Sequence, residues 1–181
     1  MIVDHENLGF AVTDANKNLH VLTYSPYAVQ SQGGSRLVRR GEIQAGHHIA
    51  SLKSVQCVLD SQMYAAIGGT AAGTIMVLTP LNEKLFKRLY SLYSRLVTQI
   101  SHYAGLNPRG CRHLKLDSKI LQISSSTSGP PGPRGILDVQ LVEVFLSQNA
   151  RVQHEIASAI GSSVDRILDD ILELKRMTEY F

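Results

Sequence analysis

Tryptophan is absent from these 181 residues, and cysteine occurs only twice. Cys57 and Cys111 lie too far apart to form a CxxC metal or redox pair, and two cysteines make no disulfide framework. A reducing compartment is the simplest expectation. Long apolar runs are missing as well: none approaches the ~20 residues needed to cross a bilayer. The opening MIVDHENLGF has neither the basic n-region nor the apolar core of a secretory leader. These absences predict a chain that neither spans a membrane nor is exported. Aromatic residues make up only 6%, yet hydrophobic residues reach 44%, so the material for an ordinary globular core is present. The length accommodates one sizeable domain or two small ones.

Catalytic signatures are equally scarce. GGTAAGT (68–74) has the glycines of a phosphate loop, but it lacks the Gly-Lys-Ser/Thr ending and leads into a strand. With no helix N-terminus behind it, it reads as a hairpin turn. Asp14-x-Asn16-x-Asn18 imitates the start of a calcium loop, but Leu19 occupies the glycine position and Ser25 the glutamate position. His47 and His48 are adjacent, so in a strand they face opposite ways and cannot share a metal. His102 and His113 have no HExxH or CxxC companion, and no GxSxG elbow occurs. The expectation is a non-enzyme with no catalytic residue, metal site, cofactor or small-molecule substrate.

What is present begins with β-hairpins. LGFAVTD (8–14) and LHVLTYS (19–25) are β-rich runs joined by the turn-forming Ala15-Asn16-Lys17-Asn18. Strands are also expected at Leu37–Ile43, Ile49–Leu59, 63–69 and 74–80, the last two paired across a small-residue turn. Short strands at near-regular spacing predict an antiparallel sandwich, barrel or propeller. A propeller blade takes about 40–45 residues, so this half amounts to one and a half to two blades with open edges. Either the strands form a small sheet capped by helices, or the chain is the end of something larger. A strand starting only a few residues after Met1 favours the second.

At Asn82 the period changes. Leu85, Phe86, Leu89, Leu92, Tyr93, Leu96, Val97, Ile100 and Tyr103 recur at helical spacing, with Asn82 as cap and Gly105-x-Asn107-Pro108 as the stop. Charge is concentrated here: residues 82–119 carry eight basic side chains against two acidic, whereas 138–181 carry four against eight. Lys84, Lys87, Arg88 and Arg95 fall mostly off the apolar stripe, as a solvated face or a binding surface would have them. Together with Arg109, Arg112 and Lys115 they are the candidate contacts to RNA or a partner. Any RNA binding would be weak and sequence-tolerant, because Tyr90 alone is free to stack on bases.

ISSSTSGPPGPRG (123–135) is a Ser/Pro/Gly linker. Helices are then expected at Val139–Leu146, Ala150–Ile160 and Val164–Met177, the last opened by a near capping box, Ser162-Ser163-Val164-Asp165. EIASAIGSSVDRILDDILELKR (155–176) has the cadence of a DNA-reading helix-turn-helix. Its second helix would carry Asp165, Asp169, Asp170 and Glu173 toward phosphates, so a helical hairpin packed on protein is the better reading.

GGSRLVRRGEIQAGHHI (33–49), GTIMVLTPLNEKLFKRLYSLYSRL (73–96), HYAGLNPR (102–109) and IGSSVDRILDDILELKRMTEYF (160–181) together resemble the C-terminal end of a family of large scaffold subunits. That family serves the cleavage and polyadenylation specificity factor, the UV-damaged-DNA-binding complex and a splicing factor. AGLNPR and the DDILEL-x-R-x-T ending favour the polyadenylation branch. The resemblance implies a fold of β + α class: the terminal antiparallel strands of a WD-like β-propeller, then a C-terminal helical domain. The expected division is propeller strands over 1–80, the basic helix and connector over 81–122, the linker over 123–137 and the helical domain over 138–181; the linker departs from the family, in which a more direct passage into the helices is expected. The resemblance further implies a non-enzymatic nuclear scaffold for pre-mRNA 3′-end cleavage and polyadenylation, holding WD-repeat and zinc-finger subunits near pre-mRNA. A DNA-damage, ubiquitin-ligase or splicing scaffold of the same family is the alternative, as is an RNA-binding module built on 82–119.

Overall fold

The computed structural model describes residues 9–56, 64–115 and 133–178. Cys57, Lys119 and most of the expected linker, 123–132, lie outside the described residues. The chain forms two compact units, residues 1–80 with 109–136 and residues 81–108 with 137–181.

The first unit holds two antiparallel three-stranded sheets. Strands β1 (Gly9–Thr13), β2 (Asn18–Thr23) and β3 (Val38–Gln44) form one in sequence order, and β4 (Ile49–Gln56), β5 (Tyr64–Thr70) and β6 (Ile75–Leu78) form the other. The β1–β2 turn is tied at both ends: Asp14 N–H donates to the Asn18 carbonyl (3.0 Å), and Lys17 adopts φ +68° where the chain reverses. Ala11, Leu19, Ile43 and Ile49 are buried together, with Leu52, Met76, Leu78 and Ile136 packed against them. Among the described residues, this cluster has four buried side chains, a small core. Most of β4 beyond Ile49 is exposed.

The second unit is helical and better filled. Helix α1 (Glu83–Gln99) is capped by Asn82, whose Oδ1 accepts from Lys84 N–H at 3.0 Å. Asp138 caps α2 (Val139–Glu143), which tightens into a 3-10 turn over Val144–Ser147. Asn149 caps α3 (Ala150–Ala159), and α4 (Val164–Thr178) completes the unit. Thirteen buried residues from all four helices and that turn meet in one core, with Leu89, Leu92, Leu96, Phe145, Ile156, Ile167, Ile171 and Leu174 at its centre. At ~1.5–3 kcal/mol for each large aliphatic side chain removed from water, this core dominates the unit's stability.

Strands then helices is the order expected from the changing hydrophobic period. Three details differ. Helix α1 ends at Gln99, because Ile100 turns extended (φ −100°, ψ 138°); Tyr103–Gly105 form a separate 3-10 turn instead of a last helical turn. Segment 81–122 does not stay together, since 109–115 join the strands: Asn18 Nδ2 donates to the Lys115 carbonyl (2.8 Å), and Lys115 N–H donates to Asn18 Oδ1 (3.0 Å). The end of the expected linker is structured, because Arg134 exchanges two backbone hydrogen bonds with Glu42 (2.8 and 2.9 Å) and pairs with the edge of β3. Ile136 packs on the core beside Gly41, where a Cβ would come within 2.8 Å of it.

Candidate functional site

The spacing of α1 places Lys84, Lys87, Arg88 and Ser91 along one flank of the helix, beside its buried stripe. Opposite that flank lies the turn between α3 and α4. Gly161 at φ +69° ends α3: its N–H donates to the Ser158 carbonyl (3.1 Å), and Ser162 N–H reaches back to Ala157 (2.9 Å). This pair of hydrogen bonds is a Schellman closure, which a residue without Cβ makes at little cost. Ser163 then caps α4 through Oγ, accepting from Arg166 N–H (3.3 Å). Arg166, not an acidic residue, stands at the third helical position, so the reciprocal half of a capping box is absent.

Between the two elements lies a shallow cleft, open to solvent, of about 640 Å3, lined by Lys84, Lys87, Arg88, Ser91, the Ile160–Ser163 turn and Arg166. Four cationic side chains and no carboxylate line it. Two of these cations are already matched. Arg88 grips Asp170 with two hydrogen bonds, Nη2 to Oδ1 at 2.7 Å and Nε to Oδ2. The bond to Asp170 raises the guanidinium pKa further, with the charges of Asp170 and Glu173 adding and burial opposing. Asp170 is itself buried, so this pair serves the helix packing. Lys87 meets Glu83 at 2.5 Å on the exposed face, and its hydrogen bond and charge lower the Glu83 pKa. Among the described residues, Lys84 and Arg166 have no carboxylate partner.

The seven residues expected to contact RNA or a partner are divided between the units. Lys84, Lys87, Arg88 and Arg95 belong to the helical unit, and Arg95 is exposed but lies outside the cleft lining. Arg109, Arg112 and Lys115 belong with the strands, where Arg112 Nη1 points at the Gln44 carbonyl (3.5 Å). Tyr90, expected to be free for stacking, sits in an aromatic row with Phe86 and Tyr93, at centroid separations of 5.7 and 6.0 Å. Sequence reasoning missed Arg166, Ser162 and Ser163 as site residues. The Gly-Ser-Ser turn was visible in the sequence, but nothing local shows which helix it faces.

In the strand unit the notable cluster is acidic and basic together. His20 Nε2 lies 3.3 Å from Asp14 Oδ2, His20 Nδ1 lies 3.9 Å from buried Glu42, and Arg39 Nη1 bonds Glu42 at 2.7 Å. Burial works to raise the Asp14 pKa, but hydrogen bonds from the Asn18 backbone and side chain, with His20, outweigh it and lower the value. Among the described residues no group of three His, Cys, Asp or Glu side chains could hold a metal, and no helix is long and apolar enough to cross a membrane.

Comparison with known proteins gives these elements a context. The family model described as CPSF A subunit region matches residues 1–147. Over 99% of its length the chain is 32% identical to cleavage and polyadenylation specificity factor subunit 1 of Drosophila melanogaster. It is 31% identical over 99% to the protein of that name in Arabidopsis thaliana, and 27% identical over 99% to protein cft1 of Schizosaccharomyces pombe. The chain spans 12% of the length of each of these relatives. With both units inside these alignments and the family model covering the strands, α1 and α2, the chain belongs to the CPSF A subunit region family.

Proposed function

We propose that this chain acts as part of a non-enzymatic scaffold in nuclear pre-mRNA 3′-end cleavage and polyadenylation. The observation that carries this reading is the likeness to cleavage and polyadenylation specificity factor subunit 1 along 99% of the chain. The surfaces support a scaffold. β4 leaves most of its length uncovered, and unpaired strand edges are templates for further strands. The six strands are in this reading part of a WD-like propeller whose remaining blades cover those edges, and the helical unit is the C-terminal helical domain that follows it in the chain. The partners it holds are WD-repeat and zinc-finger subunits of the same complex.

Direct RNA contact through segment 82–119 is the less supported reading. Its cations are split between two units, Arg88 is committed to Asp170, and Tyr90 is held by its aromatic neighbours.

The test is isolation of the tagged full-length protein from nuclear extract. Co-purification with the pre-mRNA endonuclease and poly(A) machinery is the expected result. Recovery with DNA-repair or splicing subunits instead would overturn the assignment.

A further inference from the structure

We propose that the cleft between α1 and the α3–α4 turn binds a phosphorylated serine or threonine side chain on a partner protein. This deepens the scaffold reading and rests on it, since it names how one partner segment is held.

Within the described part of the helical unit, residues 81–108 and 137–178, eight basic side chains balance eight acidic ones. Glu179 adds a ninth acidic side chain to the whole unit, which is therefore slightly negative, yet the cleft lining holds four cations and no carboxylate. A nucleic-acid strand needs cations in a track that follows successive phosphates, commonly with aromatic faces for the bases. The cleft lining contains no aromatic residue, and its positive charge is confined to one hollow. A compact dianion fits that pattern better than a polyanion does.

Chemistry at the hollow agrees. Lys84 and Arg166 reach it from different helices with no carboxylate partner among the described residues, so neither must give up an ion pair to bind a phosphate. Arg is suited to bidentate phosphate contacts and Lys to a point-charge contact. Ser162 lies in the wall of the hollow, with its hydroxyl oxygen turned away from solvent. The start of α4 adds the positive end of a helix of 15 residues, partly offset by Asp165 in its first turn. Arg88 and Lys87 are largely offset by Asp170 and Glu83, so Lys84 and Arg166 carry the unbalanced charge.

Binding is measured by fluorescence anisotropy on the full chain. The probe is a labelled Gly/Ala peptide with one central phosphoserine; its unphosphorylated twin and a labelled oligouridylate are run beside it. The phosphopeptide is expected to bind at least tenfold more tightly than its twin. Lys84→Glu and Arg166→Glu should each reduce that binding at least tenfold, whereas Arg95→Glu should leave it unchanged. Melting curves confirm that each variant is folded, and Arg166→Gln provides a milder second variant. Equal binding of the two peptides overturns the proposal. So does oligouridylate binding more tightly than phosphopeptide and failing in the same variants, which would make the cleft an RNA site. Recovery of polyadenylation subunits with the wild-type protein tests the scaffold reading separately, because that result does not depend on the peptide.

Discussion

Arg88 and Asp170 join the first and last helices of the helical unit through a two-point ion pair across 82 positions of sequence. Asp170 is 6% exposed, so its charge has little water to fall back on. The pair is less a source of net stability than a condition on how α1 and α4 meet, since well-packed apolar side chains could replace it.

Arg88→Ala should therefore destabilise the protein by about 3 kcal/mol, because it strands a buried carboxylate. Asp170→Asn should cost less, and the double variant Arg88→Met/Asp170→Leu should recover much of the loss. Urea unfolding of the three variants measures this. Equal, additive losses would show that the two residues act independently.

Gly161 closes α3 at φ +69°, with open space where a Cβ would point. Gly161→Ala meets no clash, so its cost is the left-handed backbone alone, about 1 kcal/mol. Thermal melts should show a modest drop. A loss several times larger would mean that Gly161 does more than terminate the helix.

Gly135 is a sharper case. At φ +61°, a Cβ there would lie 2.0 Å from the Arg40 carbonyl oxygen, a backbone atom with nowhere to go. Gly135→Val should push Arg134 off the edge of β3, at a cost of about 3 kcal/mol. Hydrogen exchange at the Glu42 and Arg134 amides, which are bonded to each other's carbonyls, should speed up well before that of the α1 amides.

Asp14 contributes a pH dependence with a definite sign. Its folded pKa lies below the ordinary value, so its stabilisation is complete above the unfolded pKa of about 3.9 and is lost as pH falls through the lower folded value. Asp14→Ala should lower stability at neutral pH by about 1 kcal/mol, through the lost bonds to Asn18. It should also flatten the decline in stability at acid pH. Denaturant titrations from pH 7 down to pH 2.5 compare the two slopes.

Much of this architecture was legible from local pattern. The β-rich runs, the three- and four-residue steps in α1 and the cap at Asn82 depend on neighbours within about four residues, whereas the expected capping box at Ser162 and Asp165 gives way to a cap one residue later, at Ser163. The early end of α1 was not legible, because Ser101, His102 and Tyr103 carry no strong breaker and the pattern runs on to Gly105. Nor was the attachment of Arg134 and Ile136 to β3, since a segment rich in serine, proline and glycine has no period from which a pairing partner can be inferred.

The sequence by itself determined that strands give way to helices at Asn82, that positive charge is concentrated beyond it, and that the chain resembles a family of scaffold subunits. Tertiary structure decided which charges are used. Arg88 looked equivalent to Lys84 on a helix wheel, yet Asp170 claims it, while Arg166, among the acidic residues of the first half of α4, turns to the same cleft. The physical reason is range. Periodicity and capping act over one helical turn, whereas the partner of a charge is chosen by which faces the core brings together, through buried contacts such as those of Leu89, Phe145 and Ile171.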